Sequence, residues 1–120
     1  MGDGSFVHRV TDLELEPAPL DPDAILEGSP EVSERVLATS PDGRVVRGVW
    51  QITPGVVADV EADELFVVVA GRATVEVEGG PTLELEPGVV GVLRVGDRTV
   101  WRIHETLRKV FQITDVGEPG

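Results

Sequence analysis

The stretch "ADELFVVVAGRATVEV" (residues 62–77) decides the fold. It reads as a strand, a tight turn at Gly71 and a second strand, with Glu64 opening an otherwise apolar run. β-branched and aromatic residues favour a pleated, half-buried surface. The second half alternates apolar with polar residues, as a strand with one wet face does.

The same grammar runs outward from there. "ERVLATS", "RVVRGVWQIT", "PTLELEPG", "VVGVLRVG", "RTVWRIH" and "RKVFQIT" are short β-rich runs, separated by "SPDG", "TPGV", "GG", "EPG" and "GD". Those separators are turn chemistry, with Gly supplying positive φ and Pro a fixed one. "ELFVVV" and "GVVGVL" are apolar throughout, so both faces of each are expected to be covered. Eight or so strands at regular spacing, with no convincing helix, predict an all-β antiparallel barrel or sandwich.

Residues 1–34 differ in character. They carry nine acids against one base, and their prolines forbid a long helix. They predict an irregular acidic arm with one short strand near "DLELE", followed by a barrel over 35–116 and a tail at 117–120. The 120 residues, 41% hydrophobic, are enough for one domain with a core. The net charge of −12 argues against nucleic acid and anionic membranes, which need a basic footprint. No apolar run approaches the roughly 20 residues of a membrane helix. The N-terminus lacks the pattern of a secretory signal, so a cytoplasmic setting is expected. There is no cysteine, which removes thiolate chemistry and disulfides. Residues 94–109 carry five bases against two acids. Arg94, Arg98 and Arg102 form a basic strip that the acidic arm can cover, in its own subunit or in a partner's, and a homodimer is expected.

Several short signatures coincide: Gly48-Val49-Trp50, Pro54-Gly55, Asp63-Glu64 running to Gly71, Pro87-Gly88, and Trp101 followed by Glu105, Arg108 and Lys109. Over residues 20–115 the chain resembles a small single-domain cupin, of the group that includes ureidoglycine aminohydrolase-like and ethanolamine-utilisation cupins. The resemblance implies a jelly-roll barrel, and it implies that Glu64 faces the barrel interior. The first cupin motif, G(X)5HXH(X)3–4E(X)6G, ends correctly at Glu64 and Gly71. Its histidine pair falls on Val57 and Asp59, or on Ala58 and Val60. The second motif, G(X)5PXG(X)2H, fits at Gly88 and Gly96 but places Thr99 where a histidine belongs. The histidine ligands of a cupin metal are therefore missing, and no cofactor is predicted. A divalent metal would need unconventional ligands such as Glu64, Asp59 and water.

Strand alternation then selects the candidate site. With Glu64 inward, Phe66 shares its face. With Thr99 inward, so is Trp101. Phe111 and Lys109 share a parity on the last strand, and Gln51 or Trp50 lines the neighbouring one. The expected site is Glu64 as acid or base, with Gln51, Phe66, Thr99, Trp101, Phe111 and Lys109 around a small polar ligand. A carboxyl facing an apolar cavity has its pKa raised, which suits proton transfer near neutral pH. The plain alternative pairs Glu64 with Lys109 or an arginine, merely fixing the strand. The acids Asp59, Glu61 and Asp63 read as a solvated turn, and His104 as a surface residue. Three functions remain open: a metabolite-binding cupin with isomerisation, cyclisation or elimination chemistry, a divalent-metal enzyme acting on a C–N bond, and a non-catalytic regulatory or structural protein with a vestigial cavity.

Overall fold

Two long bent strands carry the architecture where four short ones are expected. The computed structural model describes residues 4–115, and the expected tail at 117–120 lies outside them. The strands are β1 (Glu16–Pro17), β2 (Ile25–Glu27), β3 (Val32–Thr39), β4 (Val45–Ile52), β5 (Gly55–Val60), β6 (Asp63–Val77), β7 (Thr82–Leu85), β8 (Val90–Leu93) and β9 (Arg98–Thr114). All pair antiparallel. The only helical element among the described residues is a single 3-10 turn, Pro22–Ala24. Among the described residues no helix is long and apolar enough to cross a membrane.

β6 and β9 pair with each other along nearly their whole length, from Asp63↔Thr114 to Val77↔Thr99. Each half of the pair recruits different neighbours. On one side of the bend the order is β1-β3-β4-β9-β6-β8, and on the other it is β2-β5-β9-β6-β7. Two sheets thus share two strands and curl over one core, the jelly-roll solution to the sheet-edge problem.

The turn expected at Gly71 is instead a bend within β6. The β6–β9 register shifts between Val68 and Ala70, between Ala70 and Arg72, and again between Arg72 and Ala73. Extra residues of this kind bend a strand and raise its twist without ending it. Gly71 has φ +87°, and a Cβ there would lie 2.0 Å from the Thr106 carbonyl oxygen of β9. The glycine is read correctly as a backbone special, but it serves a bulge and not a hairpin. β5, and the short β2 within the arm, are the strands that the sequence reading lacks; for β5 the cause is local. Its residues follow Pro54-Gly55 and lead into acids, which disguises them as a turn.

Side chains from both sheets fill the space between them. Ile52, Phe66, Val68, Val75, Leu93 and Leu107 are fully buried. Each such side chain contributes about 1.5–3 kcal/mol of burial. Gly91 is required by this packing, because a Cβ there would meet the Phe66 ring at 2.3 Å.

The outer faces depart from expectation. Leu65, Val67, Val90 and Val92 are exposed, so "ELFVVV" and "GVVGVL" are each covered on one face only. Cross-strand pairing sets Leu65 beside Val92 and Val67 beside Val90, which makes one continuous apolar surface.

The arm belongs to the sheets. The expected boundary at residue 34 lies within β3, and the short strand expected near residues 12–16 is β1, paired at Glu16↔Glu34 and Pro17↔Ser33. Arg108, on the outer face of β9, donates to the carbonyls of Val10 (2.7 Å) and Leu13 (3.0 Å) and ties the arm down. Of the basic strip, Arg102 meets the arm through Glu27 at 3.6 Å while also holding Glu76 at 2.6 Å.

Candidate functional site

A cavity of about 390 Å³ opens into the barrel between the two sheets. It draws on β4, β5, β6, β9 and the segment around the 3-10 turn. Alternation places Trp50 on β4 opposite Lys109 on β9, so both side chains project inward. Glu64 enters from the first residues of β6.

At the inner end, the Lys109 ammonium and the Glu64 carboxylate form an ion pair, Nζ to Oε2 at 2.5 Å. Lys109 is only 5% exposed and Glu64 8%. The same ammonium lies over three aromatic rings: Trp50 at 4.7 Å, Trp101 at 4.7 Å and Phe66 at 4.8 Å from the ring centroids. Each ring face attracts a cation by about 0.5–2 kcal/mol, more as water is removed. Taking two charges out of water costs several kcal/mol per ion, and a close pair with further contacts is what offsets that cost. Burial pushes the Glu64 carboxyl above its ordinary range, while the Lys109 charge and hydrogen bond pull it back.

A second polar group sits beside the first. Glu61 is 6% exposed, not solvated as a turn residue would be. Its Oε2 accepts from Thr99 Oγ1 at 2.6 Å and from the Trp101 indole N–H at 3.0 Å. Asp59, one step outward on β5, is exposed as a residue but presents its carboxyl to the cavity rim. That carboxyl is pushed up to about 6, first by lost hydration and then by the neighbouring Glu61 charge. No buried side-chain nitrogen or oxygen among the described residues lacks a hydrogen-bond partner.

Of the residues singled out from sequence, Glu64, Trp101, Lys109 and Phe111 line the cavity. Phe66 is buried beneath it, its ring 6.1 Å from that of Trp101. Thr99 is buried behind Glu61, where its hydroxyl is taken by that carboxylate. Gln51 lies elsewhere. Its register partner is Arg108, to which its side-chain oxygen offers an acceptor at 2.9 Å on the outer face. Adjacent residues on a strand point oppositely, so Trp50 takes the inward place. Trp50 and Trp101 meet edge to face at 5.9 Å. Sequence reasoning missed Glu61. The available signal was parity: Val57, Asp59 and Glu61 alternate on one face once β5 is recognised as a strand.

A broader hollow of about 780 Å³ lies between Val60 and Glu78, bordered by Arg98 and Thr82. It has no aromatic lining and opens widely to solvent, so the barrel cavity is the stronger candidate site.

Residues 39–111 match the EutQ-like cupin domain, more than half of the chain. The chain belongs to this family. Solved structures agree on the fold. A protein of unknown function from Pseudomonas syringae pv. tomato is 24% identical with TM-score 0.77, covering 86% of this chain and 45% of its own. This cupin therefore spans less than half of that protein. The Clostridium difficile EutQ protein is 16% identical with TM-score 0.64, covering 84% of this chain and 83% of its own. An ectoine synthase from P. lautus is 18% identical with TM-score 0.65, covering 92% and 78%. No functionally curated protein matches the sequence.

The family fold permits a test of the metal positions. Val57 and Asp59 face Trp101 and Thr99 across β5 and β9, so the inward pair of the first motif is Val57 and Asp59. With Thr99 at the second motif, this cupin sets one apolar, one carboxylate and one hydroxyl side chain where imidazoles would stand. Its remaining motif carboxylate, Glu64, is engaged by Lys109. No group of three or more His, Cys, Asp or Glu among the described residues is arranged to hold a metal. A transition metal wants imidazole or thiolate donors, and this donor set does not fit one.

Proposed function

We propose that this cupin binds a small polar metabolite in its barrel cavity without a conventional metal site, using the Lys109–Glu64 pair as the charged floor. The observation that carries this reading is the pair itself: a 2.5 Å ion pair, buried among three aromatic rings, at the inner end of an open 390 Å³ cavity. Apolar and aromatic walls with a few convergent polar groups are the usual make-up of a small-molecule site. The buried ammonium supplies the fixed positive charge that a metal supplies elsewhere. Where the bound molecule reacts, the chemistry is proton transfer, in an isomerisation, cyclisation or elimination. Glu64 is the acid or base, its carboxyl raised by burial, with Lys109 as the cation that holds it in place. Trp50, Phe111 and Asp59 orient the ligand. Thr99 acts one step back, by holding Glu61.

Trp50 and Trp101 are the only tryptophans, and there is no tyrosine, so intrinsic fluorescence reports directly on the cavity. A panel of small polar metabolites is expected to contain members that change this emission saturably and raise the melting temperature together. Glu64→Gln should keep binding and lose turnover of such a compound. A panel in which nothing shifts either signal contradicts the reading.

The same reading includes a homodimer. The uncovered face of Leu65, Val67, Val90 and Val92 is uncharged in a chain of net charge −12, so two copies can meet there without opposing their acids. Light scattering is expected to give twice the chain mass, falling to a monomer in Leu65→Asp. A monomeric wild type removes this part alone.

A further inference from the structure

The cavity's charge is lopsided in a way that its occupant must answer. Asp21, Glu34, Asp59, Glu61 and Glu64 line it, against the single cation Lys109. Lys109 is matched by Glu64. None of the ion pairs among the described residues involves the other four acids. Three of them have neutral partners: Asp21 accepts the Asp23 amide, Asp59 the Val60 amide, and Glu61 the Thr99 hydroxyl and the indole of Trp101. They grade inward from exposed Asp21, through half-buried Glu34, to buried Glu61. Like charges crowded in a partly dry cleft repel: Asp59 feels that repulsion chiefly from Glu61, while the pull of Lys109 offsets the weaker push of Glu64. The wall itself shows what relieves it. A tethered ammonium already rests against Trp50, Trp101 and Phe66 and on a carboxylate. That is the arrangement by which aromatic cages and acids recognise organic cations.

We infer that the ligand of this cavity carries a positively charged nitrogen, an ammonium or amidinium group, which the four acids outside the ion pairs and the half-buried Trp50 ring receive. This rests on the metabolite-binding reading and narrows it to a class. An anionic ligand would add to the repulsion, and a neutral one would leave it in place. The cation enters beside Lys109 and does not displace it, because Glu64 holds that ammonium at the inner end.

Three probes of one shape separate the possibilities: choline, its uncharged isostere 3,3-dimethyl-1-butanol, and the anion 3,3-dimethylbutyrate. Each is titrated against the full chain at pH 7.5, at constant ionic strength, following tryptophan emission. Choline is expected to give a saturable change at least tenfold tighter than the alcohol, with none from the butyrate. The variant Glu34→Gln/Asp59→Asn is expected to lose that preference while keeping its fold, as judged by an unchanged far-ultraviolet circular dichroism spectrum. Equal or tighter binding of the alcohol or the anion overturns the cationic class and leaves the cavity reading standing. A preference for choline that survives the double substitution also overturns it, since these acids would then not be its source. No saturable change with any probe overturns the cationic class as well, and the cavity reading then stands or falls on the metabolite panel alone.

Discussion

Replacing Lys109 by methionine keeps most of the side chain's length and removes its charge. Glu64 is then left 8% exposed with its counter-ion gone. Removing one partner of a buried pair costs about 3–5 kcal/mol, because the other charge stays buried and uncompensated. That is a large part of the roughly 5–15 kcal/mol that holds a domain folded. The sign of the pH dependence follows from the causes of the Glu64 shift. Burial raises its carboxyl, and Lys109 is the chief influence pulling it back. Without Lys109 the folded-state value rises further above the unfolded one. A carboxyl raised by folding favours the fold at pH below its unfolded value, and that contribution is lost as pH rises through the folded value. The deficit of Lys109→Met relative to wild type should therefore be small near pH 4.5 and reach the full amount by pH 7.5. Urea unfolding followed by Trp50 and Trp101 emission measures both. Comparing variant with wild type at each pH cancels titration common to both; Asp59, which the Lys109 charge also pulls down, rises further in the variant and adds to the deficit in the same direction. Lys109→Met/Glu64→Gln should recover most of the loss, since replacing a whole buried pair is close to neutral. A single-variant loss below about 1 kcal/mol, or one equal at both pH values, would falsify the reasoning.

Three further substitutions probe other parts of the account. Gly71→Ala sets a Cβ 2.0 Å from the Thr106 oxygen at φ +87°, so it should cost at least about 2 kcal/mol in urea unfolding; a neutral result would mean that β6 bends some other way. Thr99→Val keeps the side chain's shape but takes one of two donors from buried Glu61, and a loss of about 1–3 kcal/mol is expected by the same method, against none if Glu61 reaches solvent. Asp59→Asn removes a carboxyl held up to about 6 in the fold, whose favourable contribution is lost as pH rises through that value. Melting temperatures should accordingly be higher for Asp59→Asn than for wild type at pH 7.5 and converge near pH 4; the opposite order at pH 7.5 counts against the crowding of acids at the rim.

Strand chemistry made the barrel legible because alternation and turn residues are local signals. What they could not convey is whether a glycine ends a strand or bends it. Gly71 has the same positive φ in either case, and only the distant approach of Thr106 decides. The β6 and β9 strands were accordingly read as pairs. β5 was hidden by acids that ordinarily mark turns. Asp59 and Glu61 are tolerated at a barrel mouth because Thr99, Trp101 and the Val60 amide answer them from other positions in the chain. The pairing of Glu64 with Lys109 was foreseeable as an alternative from parity alone. The three-ring enclosure was not, since it assembles Trp50, Phe66 and Trp101 from three strands. Gln51 illustrates the opposite limit: a shift of one residue moves a side chain to the other face, so the expected Gln51 lies outside and its neighbour Trp50 lines the cavity.

Lys109 is the chain's only lysine, so isotope labelling of lysine alone isolates it in a nuclear magnetic resonance spectrum. The account predicts one set of side-chain resonances, with the Cε protons moved well upfield by the facing rings and with cross-relaxation to the indoles of Trp50 and Trp101. Those features should persist when zinc or manganese is added in excess. Side-chain shifts at solvent-exposed values, or a metal that binds at Glu64 and releases Lys109 from the rings, would contradict it.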